Sequence, residues 1–317
     1  MDGKAAISLK PKTSLDITVL MGGPSTEREV SLVTGKAIAD ALERRGHRVR
    51  RCDISPQDAS ALDHKDIDVV FIALHGLFGE SGHVQRLCEQ RGLRYTGSGI
   101  EASRIAIDKV ETKKVIHAAG LSTPNWAVLE KSPPAAEVEA ILASMDLPTV
   151  LKPVDGGSSV DVTIARDAAT RRDAAKDLLA KYGRGLVEQF IVGREFTVGV
   201  LGDQALPVLE VIPTHEFYDY TAKYSDDGGT SYNFDHGLPA GVVREMQSAA
   251  LKTHQALGCR HMSRVDFILD SASKAWVLEA NTIPGFTSHS LLPMSAAKVG
   301  IGFDELVSRI VDMARMD

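Results

Sequence analysis

The sequence predicts a multidomain chain of mixed class, an α/β region followed by α+β regions, and three observations carry that assignment. Strand and helix patterns alternate over residues 15–110, as they do where helices cover a parallel sheet. Residues 111–195 hold a second, smaller α+β unit. From Glu195 onward, "EFTVGVLG", "ALPVLEVI", "SRVDFILD" and "AWVLEAN" read as a mostly antiparallel sheet, and residues 196–317 form the third unit. A length of 317 residues accommodates two or three domains and a large core.

The elements follow in order. Residues 1–14 are polar and read as a disordered leader. "LDITVLM" is a strand and "GGPST" a turn. Thr26 and Glu29 have capping-box spacing, and Val30, Val33, Ala37, Ile38, Ala41 and Leu42 recur with helical period. "HRVRRCDI", "DIDVVFIAL" and "LRYTGSG" read as further strands, with a short helix at "GHVQRLCEQRG". The first turn, "MGGPSTE", lacks G-x-G-x-x-G, so the topology alone does not make a dinucleotide site. Residues 101–119 read as one helix ending at Gly120. "PNWAVLE" and "LPTVLKP" are strands around a helix near 134–145; a Gly-Ser loop, a helix over 167–182 and the strand "GLVEQFI" follow. Two more helices are expected at 241–257 and 303–314. Residues 214–240 are long, polar and without periodicity, which reads as a lid or an insert.

Composition excludes several classes. Hydrophobic residues make up 44% and charged residues 25%, ordinary for a soluble globular protein, and the net charge of −6 comes without a basic block, so nucleic acid is not the expected partner. No apolar run is long enough to span a bilayer. Cys52, Cys88 and Cys259 are scattered, neither a C-x-x-C pair nor a disulfide framework, which points to a reducing cytoplasm.

The chemistry concentrates in three places. "SRVDFILDSASKAWVLEAN" reads as a hairpin with "SASK" as its loop and Asp270 opposite Ala275. Asp266 then faces Glu279 and Arg264 faces Asn281, all on one side, while Val265, Phe267, Leu269, Trp276, Leu278 and Ala280 form the core side. Two opposed carboxylates repel, and a divalent cation between them removes that cost; all-oxygen donors suit Mg²⁺ beside nucleotide phosphates. The alternative is a solvated face on which Arg264 pairs an acid. Secondly, "TVLKPVDGGSSV" puts Lys152 at a strand end before Gly156, Gly157, Ser158 and Ser159, where backbone N–H groups can wrap phosphate oxygens. It is not a Walker A loop, and an ordinary glycine-rich connection is the alternative. Thirdly, Lys109 in "AIDKVETKK" either adds a second phosphate charge or is a solvated helix lysine.

Taken together, these residues resemble the ATP-grasp ligases, and within them the D-alanine–D-alanine ligases. The resemblance rests on "GGPSTEREVSL", "FIALHGLFGESGHVQ", "YTGSG", "DKVETK", "LKPVDGGSSV", "VEQFIVGREFTV", "FYDYTAKY", "SRVDFIL" and "LEANTIPGFTSHSLLPM", in that order over residues 17–314. It implies a three-domain ATP-grasp fold, with ATP gripped between the central and C-terminal units. It implies an acyl phosphate formed on one D-alanine and attacked by the amine of a second, for peptidoglycan precursor synthesis. By motif position it implies that Glu27 and His75 hold the first D-alanine, with Ser158 and Tyr224 linked to Glu27. Ser290 and Lys223 would bind the second D-alanine. Arg264 and the Gly285 N–H would steady the tetrahedral oxyanion. Lys109, Lys152, Gly157, Ser159 and Lys223 would meet the phosphates. Glu188, Gln189, Phe190 and Ile191 would meet adenine, and Glu195 the ribose. Asp266, Glu279 and Asn281 would ligate two Mg²⁺ or Mn²⁺ ions, with room for a monovalent cation. It further implies a homodimer. Without the motifs, Glu27 reads as a first-turn helix acid, His75 as a turn histidine, Tyr224 as a packing aromatic and Glu195 as an edge-strand acid. The chain departs from the family pattern at Asp155-Gly156, at Gln189, where lysine is common, and in the lid. Two other readings are a ligase of the same fold for a different carboxylate and amine, and a nucleotide sensor that has lost catalysis. The full set of charged residues weighs against the second.

Overall fold

The structure is a computed structural model describing residues 14–130, 134–157, 160–213, 230–287 and 289–317. Three sheets organise it. The first unit begins with β1 (Asp16–Met21), α1 (Arg28–Arg44), β2 (Arg48–Asp53) and β3 (Val69–Ile72), which form a parallel sheet of order β2-β1-β3. β1 and β3 are buried throughout, as expected of strands covered on both faces. The run "LRYTGSG", expected as another strand, makes only an isolated parallel bridge between Val70 and Tyr95. The chain then turns at Gly97, with φ of 87°.

Two short helices, α2 (Leu77–Glu80) and α3 (His83–Glu89), lead to α4 (Ile100–Ile107) and α5 (Lys109–Ala118). The single helix expected over 101–119 is therefore two. Asp108 breaks it: its backbone is extended, and its carboxylate accepts the N–H groups of Val110 and Glu111, capping α5. This break puts Lys109 at the first position of α5.

The second sheet contains β4 (Trp126–Leu129), β5 (Thr149–Lys152), β6 (Thr163–Ala165) and β7 (Gly185–Gln189) in order β4-β7-β5-β6, all antiparallel. Helices α6 (Ala135–Ala143) and α7 (Ala168–Tyr182) accompany it. The third sheet holds β8 (Gly193–Leu201), β9 (Gln204–Ala205), β10 (Leu209–Ile212), β11 (Ser231–Asn233), β12 (Met262–Asp270) and β13 (Ala275–Asn281), with α8 (Ala240–Ala256) packed on it. β11 pairs with β10, so part of the segment expected to be loop over 214–240 is an edge strand; residues 214–229 lie outside the described residues.

Helices α9 (Leu291–Lys298) and α10 (Phe303–Met316) end the chain, and α9 was not expected from the sequence. Leu306, Val307, Ile310, Val311 and Ala314 of α10 join Ile17, Val19 and Phe71 of the first sheet in one core. The C-terminal helices thus seal the N-terminal sheet. Similarly, Ile116 of α5 is buried among Phe196, Val265 and Phe267 of the third sheet.

Candidate active site

Residues of the second and third sheets, with loops that follow the strands of the first, line a cleft of about 1250 Å³. Of the residues singled out in the sequence, Glu27, Lys109, Lys152, Gly157, Glu188–Ile191, Glu195, Arg264, Asp266 and Glu279 line it. His75, Asn281, Gly285 and Ser290 do not reach its wall. Ser158, Ser159, Lys223 and Tyr224 lie outside the described residues.

The β12–β13 hairpin forms one wall. Asp266 is paired with Glu279 and Arg264 with Asn281, as expected, but Asp270 is not opposite Ala275; that partner is Leu269. The turn is one residue shorter than "SASK". Asp270 bonds through its backbone to Lys274, and Ser273 adopts a left-handed φ of 62°. The Asp270 carboxylate locks this turn by accepting from the N–H groups of Ala272 and Lys274 and from Trp276 Nε1. A bulge at Leu278 then restores the register between Asp266 and Glu279. The bulge also corrects the expected core face. Val277 and Ala280 are buried with Val265, Phe267 and Leu269, whereas Leu278 turns into the cleft wall beside Ile268.

Each opposed carboxylate has a cation. Arg264 forks onto Asp266 at 2.9 and 2.8 Å, and Thr197 Oγ1 donates to the same carboxylate at 2.6 Å. Lys109 Nζ lies 3.4 Å from Glu279 Oε2 and donates to the Gly156 carbonyl at 2.7 Å. Arg264 does pair an acid, yet the face is not a solvated one: both side chains are only 13% exposed. These pairs offset the repulsion that a bare pair would carry. Among the described residues no three His, Cys, Asp or Glu side chains cluster as a metal site. The donor set here is two carboxylates and an amide, and Asn281 Oδ1 already accepts from the Ile283 N–H at 2.9 Å. All-oxygen chemistry of this kind fits a hard divalent cation.

Deeper in the cleft, Glu188 joins two lysines. Lys152 Nζ meets Glu188 Oε2 at 2.6 Å, and Lys113 Nζ makes an ion pair with Oε1. Burial pushes the Lys113 ammonium down, against the pull of Glu188 and with a push from Lys152, to about 8. Burial acts the same way on Lys152, but Glu188 and Glu279 outweigh it and hold its pKa above the ordinary value. Burial disfavours the Glu188 carboxylate, and the two lysines overcome that and hold its pKa low.

Glu27 occupies the position just before α1 at the cleft's other end. Its N–H donates to Ser25 Oγ at 2.9 Å, and no side-chain cap forms, so the expected Thr26–Glu29 capping box is absent. Its carboxylate sits between two glycine turns. A Cβ at Gly76 would lie 3.4 Å from Glu27 Oε2, and one at Gly157 would lie 3.9 Å from it. Gly76 has φ of +79°, and a Cβ there would also press on Ser25 at 2.9 Å, so both its conformation and its space call for glycine. His75 is buried just before it, with Nε2 3.2 Å from Thr34 Oγ1 and Nδ1 3.6 Å from Glu80 Oε1. Burial raises the pKa of Glu80, His75 opposes that, and the Glu27 charge adds to it.

Gly285 and Ser290 come together away from the cleft wall: a Cβ at Gly285 would lie 3.2 Å from Ser290 Oγ. Ser290 Oγ accepts from the Thr287 N–H at 3.0 Å and precedes α9. Sequence reasoning missed Lys113, Thr197, Glu80 and the cleft-facing Leu278. The i,i+4 spacing of Lys109 and Lys113 on a helix was a usable signal for the first. For the others a tertiary contact or a bulge decides the role.

Residues 115–312 match the family described as D-ala D-ala ligase C-terminus, and residues 55–98 match D-ala D-ala ligase N-terminus. A D-alanine–D-alanine ligase of Gloeobacter violaceus is 44% identical over 297 residues, covering 93% of this chain and 98% of the relative. The crystal structure of the Bacillus anthracis D-alanine–D-alanine ligase superposes with a TM-score of 0.84 at 32% identity, over 95% of this chain and 97% of that one. The same enzyme complexed with ATP gives 0.84 at 30% identity, with the same coverage of 95% and 97%. With the matched models, the whole-length relatives and the shared fold agreeing, the chain belongs to the D-alanine–D-alanine ligase family of ATP-grasp enzymes.

Proposed function

We propose that this chain is an ATP-dependent ligase joining two D-alanine molecules into D-alanyl-D-alanine, with release of ADP and phosphate, in peptidoglycan precursor synthesis. The observation that carries the reading is convergence. An acid at a helix start, two lysines and an oxygen-rich wall, drawn from all three units of the chain, meet in one cleft of a chain of this family.

Phosphoryl transfer needs positioning and charge neutralisation more than covalent help from the protein. Glu27 receives the ammonium of the first D-alanine, with His75 held nearby. A carboxylate oxygen of that D-alanine attacks the γ-phosphorus. The bond to the bridging oxygen breaks, and ADP leaves. Lys109 and Lys152 offset the phosphate charge, and Gly157 lets the backbone approach. Asp266, Glu279 and Asn281 would hold two Mg²⁺ or Mn²⁺ ions, which when bound would supply further charge neutralisation at the phosphates. The amine of the second D-alanine then attacks the acyl carbonyl, loses a proton, and phosphate departs. Arg264 steadies the oxyanion; the Gly285 N–H as a second oxyanion donor and Ser290 as the partner of the second D-alanine carboxylate rest on the sequence motif, since both stand back from the cleft wall. Glu188 and the Gln189–Ile191 backbone face the base, and Glu195 the ribose. Roles for Ser158, Ser159, Lys223 and Tyr224 rest on the sequence alone. Residues 15–110, 111–195 and 196–317 act as three units, with the nucleotide between the last two. The reading includes a cytoplasmic homodimer, which light scattering checks; among the described residues no helix is long and apolar enough to cross a membrane.

The test is phosphate release with ATP, Mg²⁺ and D-alanine, set beside L-alanine, D-serine and D-lactate, with the product identified by mass. D-alanine alone should support release and give the dipeptide mass. Preference for D-lactate at neutral pH, or release with none of the four, would sink the assignment.

A further inference from the structure

Lys113 is fully buried, does not line the cleft, and has no part in the scheme above. A buried ammonium needs three acceptors, and Lys113 has three. It donates to Thr123 Oγ1 at 2.7 Å and to the Pro124 carbonyl at 3.0 Å, and it pairs with Glu188 Oε1. The Trp126 ring, 5.4 Å from Nζ, covers it. No donor is left for a nucleotide, so anything Lys113 does for the reaction passes through Glu188.

Glu188 lies on β7 between Trp126 of β4 and Val150 of β5, and its side chain reaches the cleft. One oxygen is held by Lys152, which lines the cleft, and the other by Lys113, which does not. A carboxylate fixed at both oxygens cannot rotate, and its spare lone pairs keep one direction. With Lys113 gone, Glu188 is free to turn both oxygens onto Lys152 and draw that ammonium from the phosphates. Lys109 and Lys113 are one turn apart on α5, so a single helix sets both the phosphate end and the base end of the cleft.

We propose that Lys113 is a positioning residue that pins the Glu188 carboxylate so that it accepts from the 6-amino group of adenine, and thereby selects adenine nucleotides. This rests on the reading that Glu188 faces the base. The test compares ATP with inosine triphosphate, which has an oxo group in place of the amine, in wild type, Lys113→Met, Lys113→Arg and Glu188→Gln. The readout is kcat/KM for each nucleotide, with folding checked by circular dichroism. Losing one oriented hydrogen bond should cut the ATP preference by about tenfold in Lys113→Met. The loss should fall on KM for ATP more than on kcat, and Lys113→Arg should restore part of the preference. Should Lys113→Met fail to fold, Thr123→Val, which removes one of the acceptors anchoring the ammonium, takes its place and should lower the preference in the same direction. If Glu188→Gln loses the preference while Lys113→Met or Thr123→Val keeps it, the proposal for Lys113 is overturned alone. If Glu188→Gln keeps it, the reading of Glu188 fails first and the proposal falls with it.

Discussion

The cleft has two charged regions that differ in how far they are sealed from solvent. The inner cluster of Lys113, Glu188 and Lys152 is sealed, with side chains 0%, 3% and 10% exposed. On the hairpin wall, Lys109 and Glu279 are 11% and 31% exposed, and Arg264 and Asp266 13% each. A sealed ion cluster is expensive to disturb, because removing one member leaves another charge unpaired in a low dielectric. A wall that solvent reaches can exchange its partners for those of a ligand at lower cost. Lys113, fully sealed and off the cleft wall, is left only to hold geometry, whereas Lys152, Glu188 and the hairpin charges line the cleft and can meet substrate.

The sharpest break of that contrast is Glu188→Leu, which strands two buried lysines. It should cost about 3–5 kcal/mol of unfolding free energy, read from the denaturant midpoint at an unchanged slope. A shift near zero would mean the cluster is not sealed. Arg264→Ala should act on the other axis. We expect kcat to fall about 10²–10³-fold with the Kd for ATP largely kept, and a smaller midpoint shift than the Glu188 variant. ATP affinity lost with kcat spared would refute the oxyanion role of Arg264.

A third prediction uses pH. The folded pKa of Lys113, about 8, lies below its ordinary 10.5. Between those values the unfolded chain binds more protons than the folded one, so this group's contribution to stability rises with pH across that window. Relative to Lys113→Met, wild type should gain about 1–3 kcal/mol between pH 8 and 10. A difference that stays flat there would remove the burial argument. The smallest effect belongs to the outer surface: Arg44, 56% exposed and paired with Asp304 at 2.6 Å, should shift the denaturant midpoint least of these variants when changed to alanine. A larger shift would show that exposure does not rank these pairs.

Period and turn chemistry fixed much of this in advance. Alternation along β12 foretold which side chains share the wall with Asp266, and the strands of all three sheets largely fell where the apolar runs lie. Misreadings arose where a local polar group competed with the pattern. Asp108 capped a new helix, Asp270 shortened a turn, and with the bulge at Leu278 the expected sides of Trp276, Val277 and Leu278 in β13 are reversed. The first two choices depend on hydrogen bonds worth about 1 kcal/mol each, which periodicity does not register.

The sequence by itself determined the fold class, the order of the motifs and the identity of the oxygen, lysine and arginine groups, because those follow from residue type and spacing. Only the tertiary structure decided which charges are sealed and which are reachable. Lys109 and Lys113 differ by one helical turn, yet one lines the cleft and the other lies beneath it. Burial is a property of everything packed around a group, and no local pattern in the chain encodes it.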